Sequence, residues 1–165
     1  MYFKHIDNVD VQAVFSNNYR YSLEITKNNT NNGKTVCVIM QNPSEANKER
    51  ADKSVQFIEK LIFLKGYSEF ANVRKIIIVN QFAYIQKKGF QGLDEHIGVD
   101  NDKYIKESIE KSEIVLIAWG VSNTCYDRQN EINRILAKYE NKVLLQTKKH
   151  PSRGTYKDFI EKYEI

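Results

Sequence analysis

Three polar residues close or follow apolar runs, where a side chain can meet a ligand: Asn42, Asn80 and His150. Asn42 lies in Gln41-Asn42-Pro43-Ser44. Its carboxamide can orient a water or a carbonyl, but without basicity at neutral pH it cannot deprotonate one. The same four residues also read as a turn in which Ser44 caps a local helix. Asn80 closes Ile76-Ile77-Ile78-Val79. Its one acceptor and two donors suit a base edge or a peptide-like group, and equally a tie to the adjoining loop. Lys148-Lys149-His150-Pro151-Ser152-Arg153-Gly154 gathers cations around an imidazole and a hydroxyl. Such a loop suits phosphate contact, with His150 free to hydrogen-bond or to stabilise charge, although a solvated basic loop has the same composition. Trp119-Gly120 ends another run, where glycine allows close backbone approach and the indole either packs beneath a site or belongs to the core. His5 and His96 have no comparable setting.

These residues need a scaffold. Val36-Cys37-Val38-Ile39-Met40, Ile76 to Val79, Ile114 to Ala118 and the shorter Val143-Leu144-Leu145 are continuous apolar runs, the pattern of strands covered on both faces. Arg20 to Thr26 alternates apolar and polar residues and reads as an edge strand, followed by a hairpin-type turn at Asn28 to Gly33. Helical spacing appears at Val55 to Leu64, ending near Gly66, at Tyr104 to Ser112, at Tyr126 to Tyr139, and at Tyr156 to Tyr163 with Phe159 and Ile160. Strands alternating with helices predict an α/β fold, a three-layer α/β/α sandwich around a mainly parallel sheet of four to five strands. In open α/β sheets ligands bind beyond the carboxyl ends of the strands, which is where the residues above fall.

The bulk properties set the frame. At 165 residues and 41% hydrophobic, residues 1–165 read as one domain. With 25 basic and 21 acidic residues the net charge of +4 is too even for a polybasic protein, though a local basic patch is compatible with it. Met1 to Asp10 holds no apolar run fit for a signal peptide or a spanning helix, which points to the cytoplasm and away from a membrane. Cys37 and Cys125 are far apart and read as free thiols. No dinucleotide, phosphate-loop, zinc-protease or nucleophile-elbow motif is present, and the residues give no reason to expect a metal or another cofactor. Asp94, Glu95, Asp100 and Asp102 have the chemistry to hold magnesium but read more readily as a solvated acidic loop.

In this order the strand ends resemble the uracil-DNA glycosylase superfamily. An apolar strand ending in Trp119-Gly120, a helix, and a strand running into His150-Pro151-Ser152 resemble that superfamily's Trp-Gly and His-Pro-Ser pattern. Val38-Ile39-Met40-Gln41-Asn42-Pro43 resembles its water-activating motif, and Asn80 its pyrimidine reader. More closely, Arg20-Tyr21-x-Leu23, Asn42-Pro43-Ser44-x-Ala46, Asp52, Gly66-Tyr67, Val79-Asn80-x-Phe82-Ala83, Asn101-Asp102, Ala118-Trp119-Gly120 and His150-Pro151 resemble an uncharacterised bacterial and phage domain family of unknown function, over about residues 19 to 152.

The glycosylase resemblance implies hydrolysis of an N-glycosidic bond through a sugar cation, with the base turned out of the stack and no metal. Asn42 would position water and His150 would stabilise charge on the leaving base. Asn80 would read the base edge, with Gln41, Phe82 (or Tyr84) and Trp119 beside it. Ser44, Lys149, Ser152 and Arg153 would hold phosphates of DNA or of a nucleotide. Two positions depart from the pattern. Arg153-Gly154 replaces the bulky apolar residue that fills the hole left by a flipped base, and Asn42 supplies a dipole where an Asp would supply a charge. A non-catalytic nucleic-acid or nucleotide-binding domain is the alternative, and an interaction protein with a vestigial pocket a third.

Overall fold

All four continuous apolar runs form strands, and they lie side by side because both their faces must be covered. In the computed structural model, which describes residues 3–122 and 124–165, they are β3 (Lys34–Met40), β4 (Val73–Asn80), β5 (Ile114–Ile117) and β6 (Val143–Thr147). Met1 and Tyr2, the start of the N-terminal stretch read above, lie outside the described residues. The strands pair in parallel, β4 with β3, β3 with β5, and β5 with β6. Three antiparallel strands extend this block: β1 (Val9–Ser16), β2 (Tyr19–Lys27) and β7 (Ile160–Lys162). The result is one mixed sheet of seven strands in the order β1-β2-β4-β3-β5-β6-β7.

Three expectations are corrected. The sheet is larger than four to five strands, and half of its six pairings are antiparallel. The strand from Arg20 is interior, since β1 covers its outer side and β4 its inner one. The Asn28 to Gly33 segment therefore joins β2 to β3 across β4 and closes no hairpin; the hairpin is the one between β1 and β2, with Asn17 at a positive φ of 53°. Third, residues 156–163 contain no helix. Asp158 takes a φ of 48°, which interrupts helical backbone, and Ile160–Lys162 pair with β6 as β7. The spacing of Phe159 and Ile160 reflects two adjacent core contacts, not a helical face.

Strand alternation sorts the core into two clusters. Val36, Val38, Met40, Ile76, Ile78 and Leu116 pack with α1 (Lys53–Phe63) through Val55, Ile58, Leu61 and Ile62. Cys37, Ile39, Ile77, Val79, Val115 and Ile117 pack with α2 (Asn101–Glu110) and α3 (Tyr126–Leu136) through Ile105, Ile109, Ile132, Ile135 and Leu136. The chain leaves β3 for β4 on one side and then reaches β5 on the other. A crevice opens beyond the carboxyl ends of strands where the order reverses in this way.

Candidate functional site

The crevice exists at that point. A cleft of about 230 Å³ is lined by Met40 and Asn80, which face each other across the parallel β3/β4 pair, and by Arg20, Asn42, Pro43, Ser44, Asp52, Ser54, Val55, Gln86, Lys87, His150 and Ser152. Asn42, Asn80 and His150 thus reach one cleft from three separate strand ends. Ser44 and Ser152 join them, whereas Gln41, Phe82, Trp119, Lys149 and Arg153 are not among its lining residues.

Asn42 is anchored on one side only. Its amide nitrogen donates to the Gln86 carbonyl at 2.7 Å and to the Pro43 carbonyl at 3.2 Å, tying the β3 loop to the segment after β4. The carboxamide oxygen is left to accept from a water or a ligand. Asn80 is buried, and its oxygen accepts from Arg20 Nη2 at 3.4 Å while its amide nitrogen has no partner. Its backbone carbonyl and that of Gln81 accept from Asn101 Nδ2, and Arg128 Nε also donates to Gln81, so the end of β4 is braced from the opposite face.

His150 Nδ1 lies 2.8 Å from Ser152 Oγ and 3.1 Å from the Ser152 backbone nitrogen; because the backbone N–H can only donate, these contacts favour the neutral ring with its proton on Nε2. Burial holds its pKa below the ordinary histidine value; Asp52 pulls it up and Arg153 pushes it further down. The ring is therefore a neutral N–H donor at pH 7. Gly120, at a φ of 88°, lets the His150 loop come close, since a Cβ there would lie 3.3 Å from His150 Cβ. That close approach accounts for the glycine after Trp119.

Arg20 and Asp52 were not read as site residues. An arginine in an alternating strand reads as solvent-facing, yet Arg20 is 2% exposed. Its Nη1 donates to the Ala46 carbonyl at 3.0 Å, its Nε has no partner, and burial lowers its pKa to about 10 against the attraction of Asp52. Asp52 is the N-cap of α1, accepting from Val55 N at 2.9 Å, and its second oxygen accepts from Ser44 Oγ at 2.8 Å. It is the one carboxylate among the lining residues. The only signal for either residue was its place among the recurring motifs quoted above.

The remaining expected residues have other surroundings. Phe82 is buried against Phe90, with ring centroids 5.1 Å apart, and its backbone N–H donates to the Gln41 carbonyl. Trp119 belongs to the core cluster of α2 and α3 and meets Tyr163 edge-on. Tyr84 stacks on His96 at 4.5 Å. Lys149 and Arg153 are exposed. Gly154 lies against α1, where an added Cβ would overlap the Phe57 ring, so this position has no room for a bulky side chain unless the ring moves. Among the described residues no group of three or more His, Cys, Asp or Glu side chains is placed to hold a metal ion, and no helix is long and apolar enough to cross a membrane.

Fold and cleft define an α/β protein with a polar site at the carboxyl ends of parallel strands. It belongs to the family described as a protein of unknown function, DUF1643, whose model matches residues 20–153 and so runs from the buried arginine of the cleft to the His-Pro-Ser loop. No curated protein and no solved structure matches the chain.

Proposed function

We propose that this chain is a glycosylase-like enzyme on a three-layer α/β/α scaffold of the uracil-DNA glycosylase type, hydrolysing the N-glycosidic bond of a uracil-like or modified base in DNA or in a nucleotide. The observation that carries this reading is the meeting of Asn42, Asn80 and His150 at one cleft, each with hydrogen-bonding capacity that the protein leaves unused. Sites for drug-sized ligands run to about 300–1,000 Å³, so a cleft of about 230 Å³ suits a single heterocycle.

Asn80 faces the base edge, and the neutral Nε2–H of His150 donates to the base oxygen on which charge builds as the bond breaks. The Asn42 oxygen orients the attacking water. Asp52 supplies the negative charge that the uncharged Asn42 does not, favouring the sugar cation. Lys149 and Arg153 form an exposed cationic rim suited to phosphates. A non-catalytic nucleotide-binding domain is the second reading. It is favoured by Gly154, whose contact with Phe57 leaves no apolar wedge behind Ser152.

The test is a panel of uracil-containing and modified oligonucleotides and nucleosides, with free base detected by mass spectrometry. Base release is expected, falling about 100-fold or more in His150→Ala and comparably in Asn42→Ala. Because burial keeps His150 neutral, its contribution should be flat above about pH 6.5 and fall only at lower pH as the ring protonates. Salt-dependent binding without release of any base would move the chain to the second reading.

A further inference from the structure

Among the residues that line the cleft, one is equipped to take a proton from water. His150 is not that residue, because its contacts favour a ring with the proton on Nε2 and Nδ1 turned to Ser152. Lys87 is an ammonium bonded to the Glu45 carboxylate at 2.7 Å, Arg20 is a guanidinium, and neither has a lone pair to offer. The Asn42 carboxamide has no basicity. Asp52 remains. Its Oδ1 accepts from Val55 N at 2.9 Å, which fixes the carboxylate to the start of α1. Its Oδ2 accepts from Ser44 Oγ at 2.8 Å, which ties it to a hydroxyl on the wall of the same cleft. Both side chains are only partly buried, so the cleft reaches them. A hydroxyl that donates to a carboxylate can still accept a proton from water. Ser44 also stands two residues from Asn42, whose amide nitrogen is spent on the Gln86 and Pro43 carbonyls. A water that donates one hydrogen to the Asn42 oxygen and the other to Ser44 Oγ turns its lone pair toward the substrate.

We propose that Ser44 and Asp52 form a proton relay: as water attacks the anomeric carbon, its proton passes to Ser44 Oγ while the Ser44 proton passes to Asp52 Oδ2. The inference rests on the reading of the cleft as a glycosidic-bond site and names the base of that reaction. The water oxygen bonds to the anomeric carbon, the carbon–nitrogen bond breaks with its electron pair left on the departing base, and the proton ends on Asp52 before returning to solvent. Asp52 thus accepts a proton besides offsetting the charge of the sugar cation. Ser44 carries that proton, where the resemblance gave it a phosphate to hold.

Asp52→Asn separates the base from the scaffold, because asparagine caps a helix about as well as aspartate does. On the panel of oligonucleotides and nucleosides above, kcat for base release should fall about 100-fold or more in this variant, with KM within about threefold of wild type. Ser44→Ala should lose a comparable factor, whereas Ser44→Thr, which keeps a hydroxyl, should stay within about tenfold of wild type. Sodium azide then tells a base from a mere charge, since azide attacks carbon without giving up a proton. Added to Asp52→Asn, it should raise base release about tenfold or more and yield the glycosyl azide by mass spectrometry. Ser44→Ala supplies the same azide comparison if Asp52→Asn does not fold. Loss of activity that azide fails to restore overturns the relay and leaves Asp52 an electrostatic role alone. An undiminished kcat in Asp52→Asn overturns the part of Asp52, and one in Ser44→Ala the part of Ser44. Wild type that releases no base from any member of the panel overturns the glycosidic-bond reading itself, and the relay with it.

Discussion

Two buried arginines flank the end of β4, and they are paired in opposite ways. Arg128 is 4% exposed and all three of its nitrogens are engaged, Nε with the Gln81 carbonyl at 2.8 Å, Nη1 with Glu131 at 2.9 Å and Nη2 with Asp102 at 2.7 Å. Arg20 is as deeply buried, with no carboxylate bonded to it and one nitrogen unmet. A fully paired guanidinium is a brace. One left short of partners, with its Nε–H unmet, is a weaker brace.

The sharpest way to break this contrast is to replace both arginines by methionine and measure stability by urea unfolding. Arg128→Met should cost about 2–3 kcal/mol, because it strips a buried carbonyl of a charge-assisted bond and removes packing. The ionic part is the smaller share, since Asp102 and Glu131 are each about half exposed, at 48% and 49%, and regain water. Arg20→Met should cost less, about 1–2 kcal/mol, because losing the bonds to the Ala46 carbonyl and the Asn80 oxygen is partly offset by relief of an underpaired buried charge. Equal losses at the two positions would make Arg20 as strong a brace.

Asn101 sharpens the same point from the rear. Its amide nitrogen donates to both the Asn80 and the Gln81 carbonyls, so Asn101→Ala should cost about 1–2 kcal/mol. Arg128 shares the Gln81 carbonyl, so the double variant should depart from additivity by about 0.5 kcal/mol or more. Strict additivity in a double-mutant cycle would mean that the two braces act separately.

The braced strands were the legible part of the sequence, and the physics explains why. Strands covered on both faces read as unbroken apolar runs, so β3, β4, β5 and β6 stood out, and the strand-end rule then pointed to Asn42, Asn80 and His150. β1 was not read because it lies at the sheet edge with much of its surface exposed, and β7 because three residues carry no period. The resemblance places Phe82 and Trp119 beside a base; both are buried, and Trp119 takes the core position that its residue type also allows, since large rings beside a sheet gain from core packing. Arg20 escaped because alternation assigns a charged residue to the solvent face, and only the three-dimensional neighbours of β2 reveal that this one points inward. Gly154 looked like a missing wedge in the chain and is a packing requirement set by Phe57, far away in sequence.

The smallest effect concerns a third buried charge, which grips the Ala46 segment from outside as Arg20 grips it from within. His5 Nδ1 lies 2.8 Å from the Glu59 carboxylate and Nε2 lies 2.7 Å from the Asn47 carbonyl, so both ring nitrogens face acceptors and the ring holds two protons best. Burial alone would lower its pKa. The Glu59 and Asn47 contacts outweigh that and leave it raised. A histidine with a raised folded pKa adds stability that is complete below its unfolded pKa of about 6.5 and is lost as pH climbs through the folded value. Thermal unfolding from pH 6 to pH 8.5 should therefore show wild type losing an increment that His5→Gln never had, the two curves converging at the alkaline end. Arg20 holds the neighbouring Ala46 carbonyl without His5, so the stability losses of Arg20→Met and His5→Gln at pH 6 should add. A departure from additivity of about 0.5 kcal/mol or more would make the outer grip and the inner one a single unit.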